Sequence, residues 1–162
     1  MFEGVEWIFF DMGNTLFDEQ RAFERRLREM ARTARQEYEQ LYEEAAALYE
    51  QHQKGDLALA QRLGIELPQW HKEDEFPYED AEEGISKPNP RIFQIALEKS
   101  GCVPARAVMI GDRVDNDIIP AKAMGMYTIW LRRGLWRNWR ITSEQEKADC
   151  VVYSPAEICR YL

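Results

Sequence analysis

Two aspartates stand at the ends of apolar runs. Asp11 closes Val-Glu-Trp-Ile-Phe-Phe at residues 5–10, and Asp112 follows Ala-Val-Met-Ile at 107–110 with one glycine between. Short apolar runs of this kind read as buried strands, and in an open parallel sheet ligands bind beyond the carboxyl ends of the strands. Both carboxylates are therefore expected in one crevice. Brought together from distant parts of a chain, they repel each other unless a cation lies between them. An all-oxygen pair suits a hard divalent ion, magnesium above all when the substrate carries a phosphate. Asp115 and Asp117 follow closely and offer further charge or water-mediated ligation. Asp117 is equally well placed to cap a helix starting at Ile118.

The elements that must position these groups alternate. After the first strand, residues 18–52 contain no glycine or proline, and Phe23, Leu27, Met30, Ala34, Tyr38, Leu41, Ala45 and Leu48 recur at spacings of three and four. That spacing predicts one apolar stripe on a long helix. Gly55 is expected to stop it, Asp56 to cap a shorter helix over 57–63, and Gly64 to close that one. Residues 65–85 carry two prolines and many acids with no period, and read as loop or linker. Asn89-Pro90 then opens a helix over 91–100 that Gly101 ends. Strand 107–110, helix 118–124 closed by Gly125, strand 127–131, strand 149–153 and a helix from Ser154-Pro155 follow. Alternation of this kind predicts an α/β core with a mostly parallel, Rossmann-like sheet.

Composition narrows the class. Hydrophobic residues make up 45% and charged residues 31% of 162 residues, which excludes wholesale disorder. A formal net charge of −8 argues against a general nucleic-acid partner. The exception is local: residues 130–140 interleave three tryptophans with four arginines. They are read as a loop that packs its aromatics on the core and leaves the arginines solvated. No apolar run is long enough to cross a bilayer, and the N-terminus has no basic region or cleavage site. No membrane partner and a cytoplasmic location are thus the expectation, with Cys102, Cys150 and Cys159 as reduced thiols.

Phe10-Asp11-Met12-Gly13-Asn14-Thr15-Leu16 resembles the first motif of the haloacid-dehalogenase-like (HAD) hydrolase superfamily. Lys87-Pro88-Asn89-Pro90, with Ile92-Phe93, resembles its lysine motif, and Gly111-Asp112-Arg113-Val114-Asp115-Asn116-Asp117 its acidic metal motif. The segment 121–131 and the ending at Ala148-Asp149 are also similar. Three motifs in this order, each in matching strand context, form a specific signal. The resemblance implies a HAD-like core over residues 1–17 and 84–162, with a helical cap and linker inserted at 18–83. It implies Asp11 as nucleophile forming an aspartyl-phosphate, and Lys87 neutralising charge on the nucleophile and the phosphoryl oxygens. Mg2+ would be held by Asp11, Asp112 and the Gly13 carbonyl, with Asp117 near its water shell. Gly13, Asn14 and Thr15 would form the loop that cradles phosphate. The implied activity is a magnesium-dependent phosphatase acting on a small phosphorylated metabolite.

Two departures from the family pattern matter. Phosphatases of the family carry an acid/base aspartate two residues after the nucleophile, where this chain has Gly13. A positioned acid/base is worth about 10²–10⁴ in rate, so alkyl phosphates should be poor substrates. The second motif and its strand-helix-strand segment are also absent before Lys87. Residues 77–83 resemble the exit from a cap and 81–90 the approach to the lysine, as though roughly fifty residues were deleted at the join. A sheet of about three or four strands should remain, with the first strand as an edge shielded by the cap helices or by a second chain. Two other readings stand beside the phosphatase: a 2-haloacid dehalogenase, which needs no acid at Gly13, and an inactive scaffold forming a homodimer through its long helix.

Overall fold

The apolar runs of the sequence become one parallel sheet. A computed structural model of the chain describes residues 2–66 and 85–162. In it β1 (Trp7–Phe10), β2 (Ala107–Gly111), β3 (Tyr127–Leu131) and β4 (Cys150–Val152) lie in the order β1-β2-β3-β4. All pairings are parallel, with Phe10 beside Ile110 and Gly111 beside Trp130. Every residue of β2 is buried, as a central strand covered on both faces requires. Its alternate residues feed two apolar clusters: Val108 and Ile110 pack with Ile129, Leu131 and Val152, while Ala107 and Met109 pack with Phe93, Leu97 and Met126.

The helix α4 (Pro90–Ser100) starts and stops where its local signals predict. Asn89 accepts the Arg91 N–H at 3.0 Å, Pro90 opens the first turn, and Gly101 closes the last in a left-handed conformation (φ 67°). The helix expected over 118–124 instead begins with a π-helical turn, Val114–Ile118, which leads into α5 (Ile119–Ala123). A last short helix, α6 (Pro155–Ile158), follows β4.

Among the described strands β1 has a neighbour on one side only. Trp7, Ile8 and Phe10 are 44%, 39% and 41% exposed, so the edge expected from the missing segment is real and uncovered by described residues. The join read at 77–83 and most of the linker read at 65–85 lie outside the described residues.

The chain divides into two units. The sheet unit comprises, of the described residues, 2–17, 85–133 and 141–162; the helical unit comprises 18–66 and 134–140. In the helical unit the single long helix expected over 18–52 is two helices, α1 (Gln20–Ala34) and α2 (Tyr38–Glu50), followed by α3 (Gly55–Leu63). The break is at Arg35, left-handed at φ 54°, with its own N–H and that of Gln36 turned back onto the carbonyls of Arg32 and Ala31. This is a Schellman-type ending without glycine. A left-handed non-glycine residue costs about 1–2 kcal/mol. Folding back buries Phe23, Leu27 and Met30 together with Leu41, Ala45 and Tyr49, and each large apolar side chain so buried contributes about 1.5–3 kcal/mol. Burial therefore outweighs the local penalty. Among the described residues the apolar stripe is thus divided between two helices instead of running along one.

Two further expectations for this unit change. Gly55 opens α3 instead of stopping the helix before it, because a Cβ there would lie 2.3 Å from the Ala45 carbonyl oxygen. Asp56 does not cap α3, whose N-cap position is Lys54. Its buried carboxylate accepts the Tyr49 hydroxyl at 2.8 Å and lies 3.0 Å from Arg26 Nε. Burial and the Asp56 charge hold the Tyr49 hydroxyl well above its usual pKa. Asp56→Ala strands the Arg26 charge and the Tyr49 hydroxyl together and should cost about 3–5 kcal/mol, read as a fall in denaturation midpoint. A loss below 1 kcal/mol would show that the cluster is not the unit's polar anchor.

Residues 134–140 were assigned by the sequence to the core, yet they pack with the helices. Trp136 meets Tyr49 edge-on at 4.7 Å and Trp139 stacks on His52 at 3.7 Å, while Asn138 and Arg140 reach Glu50. Trp136 and Trp139 are buried and Arg137 and Arg140 exposed, as an aromatic anchor with solvated arginines demands. Cys102, Cys150 and Cys159 are free thiols, the first two buried. Among the described residues no helix is long and apolar enough to cross a membrane.

Candidate active site

Because β1 pairs in register with β2, Asp11 and Asp112 emerge side by side past the carboxyl ends of the two strands. Asp117 joins them, and one carboxylate oxygen from each of the three lies within 4.8 Å of the others. The three residues are 8%, 2% and 0% exposed. The π-helical turn sets where the Asp117 side chain lies. It turns the side chain inward, so that one oxygen accepts the Arg113 N–H at 3.1 Å and the other accepts Lys87 Nζ at 2.6 Å. The N-cap position of α5 is Ile118, and Asp117 caps nothing there. Asp115 stays outside the cluster, paired with the Arg113 guanidinium.

Lys87 Nζ also donates to Asp11, so one ammonium bridges two carboxylates. Complete burial pushes the Asp117 carboxyl up to about 6 against the opposing pull of Lys87. Burial works against the Lys87 charge as well, but the carboxylates of Asp117 and Asp11 outweigh it and hold the ammonium above its usual pKa.

The loop after Asp11 is tight. Asn14 takes a left-handed φ of 49°, the Thr15 N–H returns to the Gly13 carbonyl at 2.6 Å, and the Leu16 and Phe17 N–H groups both return to Met12. Asn14 and Thr15 are buried, and the Thr15 hydroxyl oxygen is buried with no hydrogen-bond partner. The Gly13 carbonyl, expected as an ion ligand, keeps one lone pair beyond the bond it accepts from Thr15.

Three residues whose part in the site the sequence did not reveal support it. A Cβ on Gly111 would fall 2.3 Å from Asp117 Oδ2, so the glycine is the space into which that carboxylate fits. Trp130 donates its indole N–H to the Asp112 backbone carbonyl at 2.9 Å, and Arg133 donates to that of Asn14. The glycine before Asp112 and a tryptophan in a buried strand, which needs an acceptor for its N–H, were the available signals.

Residues 84–158 match the family described as HAD-hydrolase-like. Among curated relatives, the glyceraldehyde 3-phosphate phosphatase of Methanopyrus kandleri is 37% identical over 75 residues, 46% of this chain and 32% of that protein. Its counterpart in Pyrococcus furiosus is 40% identical over 70 residues, 43% of this chain and 29% of that protein. The phosphoserine phosphatase of Thermus thermophilus is 43% identical over 54 residues, 33% and 22% of the two chains. The chain thus spans about a third or less of the length of these relatives. Among solved structures, a dehalogenase with an intermediate complex superposes with a TM-score of 0.64 at 15% identity, covering 100% of this chain and 99% of that one. A HAD phosphatase from Thermococcus onnurineus gives 0.54 at 16% identity, covering 97% of each. These two likenesses concern the fold. Parallel sheet, strand-end aspartates and the family match over residues 84–158 agree, and the α/β unit of this chain is similar to that of HAD-like hydrolases.

Proposed function

We propose that the chain is a magnesium-dependent phosphohydrolase acting on a small phosphorylated metabolite, with Asp11 as nucleophile and the helical unit as its cap. The observation that carries this reading is the buried cluster of Asp11, Asp112 and Asp117 bridged by Lys87. One carboxylate oxygen from each of three buried aspartates lies within 4.8 Å of the others, and negative charge gathered in this way favours a cation among them. The donor set is all oxygen and suits Mg2+, held by Asp11, Asp112 and the Gly13 carbonyl, with Asp117 beside its water shell. When bound, the ion would neutralise the carboxylates and polarise a phosphoryl oxygen.

The chain's own groups do the rest. An Asp11 carboxylate oxygen attacks phosphorus, the bond to the leaving oxygen breaks, and an aspartyl-phosphate forms, which water then hydrolyses. Lys87 steers the carboxylate and offsets charge on the phosphoryl oxygens. The unsatisfied Thr15 hydroxyl and the loop of Gly13, Asn14 and Thr15 face the anion. With glycine at position 13 no side chain protonates the leaving oxygen, which must leave as an anion or take its proton from water. Aryl and acyl phosphates therefore suit the site better than alkyl phosphates. The relatives named for glyceraldehyde 3-phosphate and phosphoserine support a small phosphorylated substrate. The same reading sets the protein in the cytoplasm, where free thiols persist.

The test is hydrolysis of p-nitrophenyl phosphate and acetyl phosphate with Mg2+. Turnover should vanish with a chelator and return when Mg2+ is restored. Halide release from a 2-haloacid that ignores the chelator would replace this reading with a dehalogenase, and inactivity on both substrate classes would leave a scaffold.

A further inference from the structure

The end of β3 reaches both halves of the site. Trp130, 2% exposed and paired with Gly111 across the sheet, holds the Asp112 carbonyl through its indole N–H at 2.9 Å. Asp112 C=O and Arg113 N–H are the two ends of one peptide unit, and the Arg113 N–H donates to Asp117 Oδ2 at 3.1 Å. A peptide is planar, so gripping both ends fixes its orientation and with it the two carboxylates it links. The arrangement recurs three residues on. Arg133 donates from Nε to the Asn14 carbonyl, and the same peptide's Thr15 N–H donates to Gly13 O at 2.6 Å. That peptide follows the left-handed Asn14, the least favourable backbone conformation in the loop.

We propose that Trp130 and Arg133 are positioning residues, each clamping one peptide of the site: Trp130 the Asp112–Arg113 peptide that links two carboxylates of the cluster, and Arg133 the Asn14–Thr15 peptide of the anion loop. Neither reaches the reacting atoms. Both act through backbone carbonyls, and both project from one segment at the end of β3, so a single stretch of chain sets two loops far apart in sequence. The consequences for ion and phosphate binding rest on the phosphohydrolase reading; the clamping itself does not.

Amide hydrogen exchange followed by NMR on the full chain separates the two. Trp130→Phe keeps an aromatic ring, though a smaller one, and removes the donor, and should raise exchange at the Arg113 amide about tenfold or more. Arg133→Met should do the same at the Thr15 amide, and Arg133→Lys should restore part of the protection. In calorimetry Trp130→Phe should weaken Mg2+ binding about tenfold, the size expected when a group that orients an ion ligand is lost. Arg133→Met should weaken inorganic phosphate binding in the presence of Mg2+ by a comparable factor while leaving Mg2+ affinity within twofold. Exchange at Arg113 and Thr15 within twofold of the parent would overturn the proposal. Raised local exchange in a parent that binds no Mg2+ would keep the clamps and discard the phosphohydrolase reading. If Trp130→Phe raised exchange throughout the chain, the half-buried Arg133 and its Lys variant would carry the decision.

Discussion

Asp11→Asn should lower hydrolysis of an aryl phosphate by roughly 10³-fold or more while leaving the fold intact. Loss of a covalent nucleophile removes the first step outright, and effects of this order follow when such a group is deleted. Asparagine matches the shape of aspartate, so packing around the 8% exposed side chain should be unchanged. Electrostatics point the same way. The variant loses one carboxylate partner of Lys87 but also relieves repulsion among Asp11, Asp112 and Asp117. Circular dichroism and the unfolding midpoint should therefore stay close to those of the parent without Mg2+. Retained turnover in a folded Asp11→Asn chain would remove Asp11 as the nucleophile.

Gly13→Asp should act in the opposite direction. Gly13 is not among the glycines with positive φ, so its backbone does not bar a side chain. An acid at that position could protonate the leaving oxygen and later activate water, a gain of about 10²–10⁴ where leaving-group protonation limits the rate. The gain should be large on alkyl phosphates and small on p-nitrophenyl phosphate, whose leaving group departs readily as an anion. The ratio of the two rates is thus the diagnostic quantity. A folded variant with no gain on alkyl substrates would place the deficiency in the missing second-motif segment.

The uncovered edge of β1 bears on both experiments. Trp7, Ile8 and Phe10 expose large apolar surface on the strand that delivers Asp11, and unpaired edges of this kind promote association. Rates should accordingly be measured over a concentration series, with light scattering beside them.

Much of the sheet unit was legible in the residues themselves. Apolar runs ending in aspartate marked the strands and the strand ends that carry carboxylates, and Asn89, Pro90 and Gly101 marked the limits of α4. The absence of a second motif foretold an edge at β1. These signals are local, reaching only a few residues along the chain, and local chemistry suffices to read them. Tertiary structure decided the rest. The same apolar period suits one long helix or two folded against each other, and only burial across the pair selected the break at Arg35. Gly55 and Gly111 look like ordinary turn glycines until the Ala45 carbonyl and the Asp117 carboxylate are found in the space a Cβ would fill. Asp117 suited a cap and a carboxylate cluster equally well by position, and the π-helical turn together with Lys87, thirty residues away, turns its side chain into the cluster. Trp130 and Arg133 act on carbonyls 18 and 119 residues distant; a buried tryptophan signals that an acceptor is needed, but at such separations one sequence does not say which.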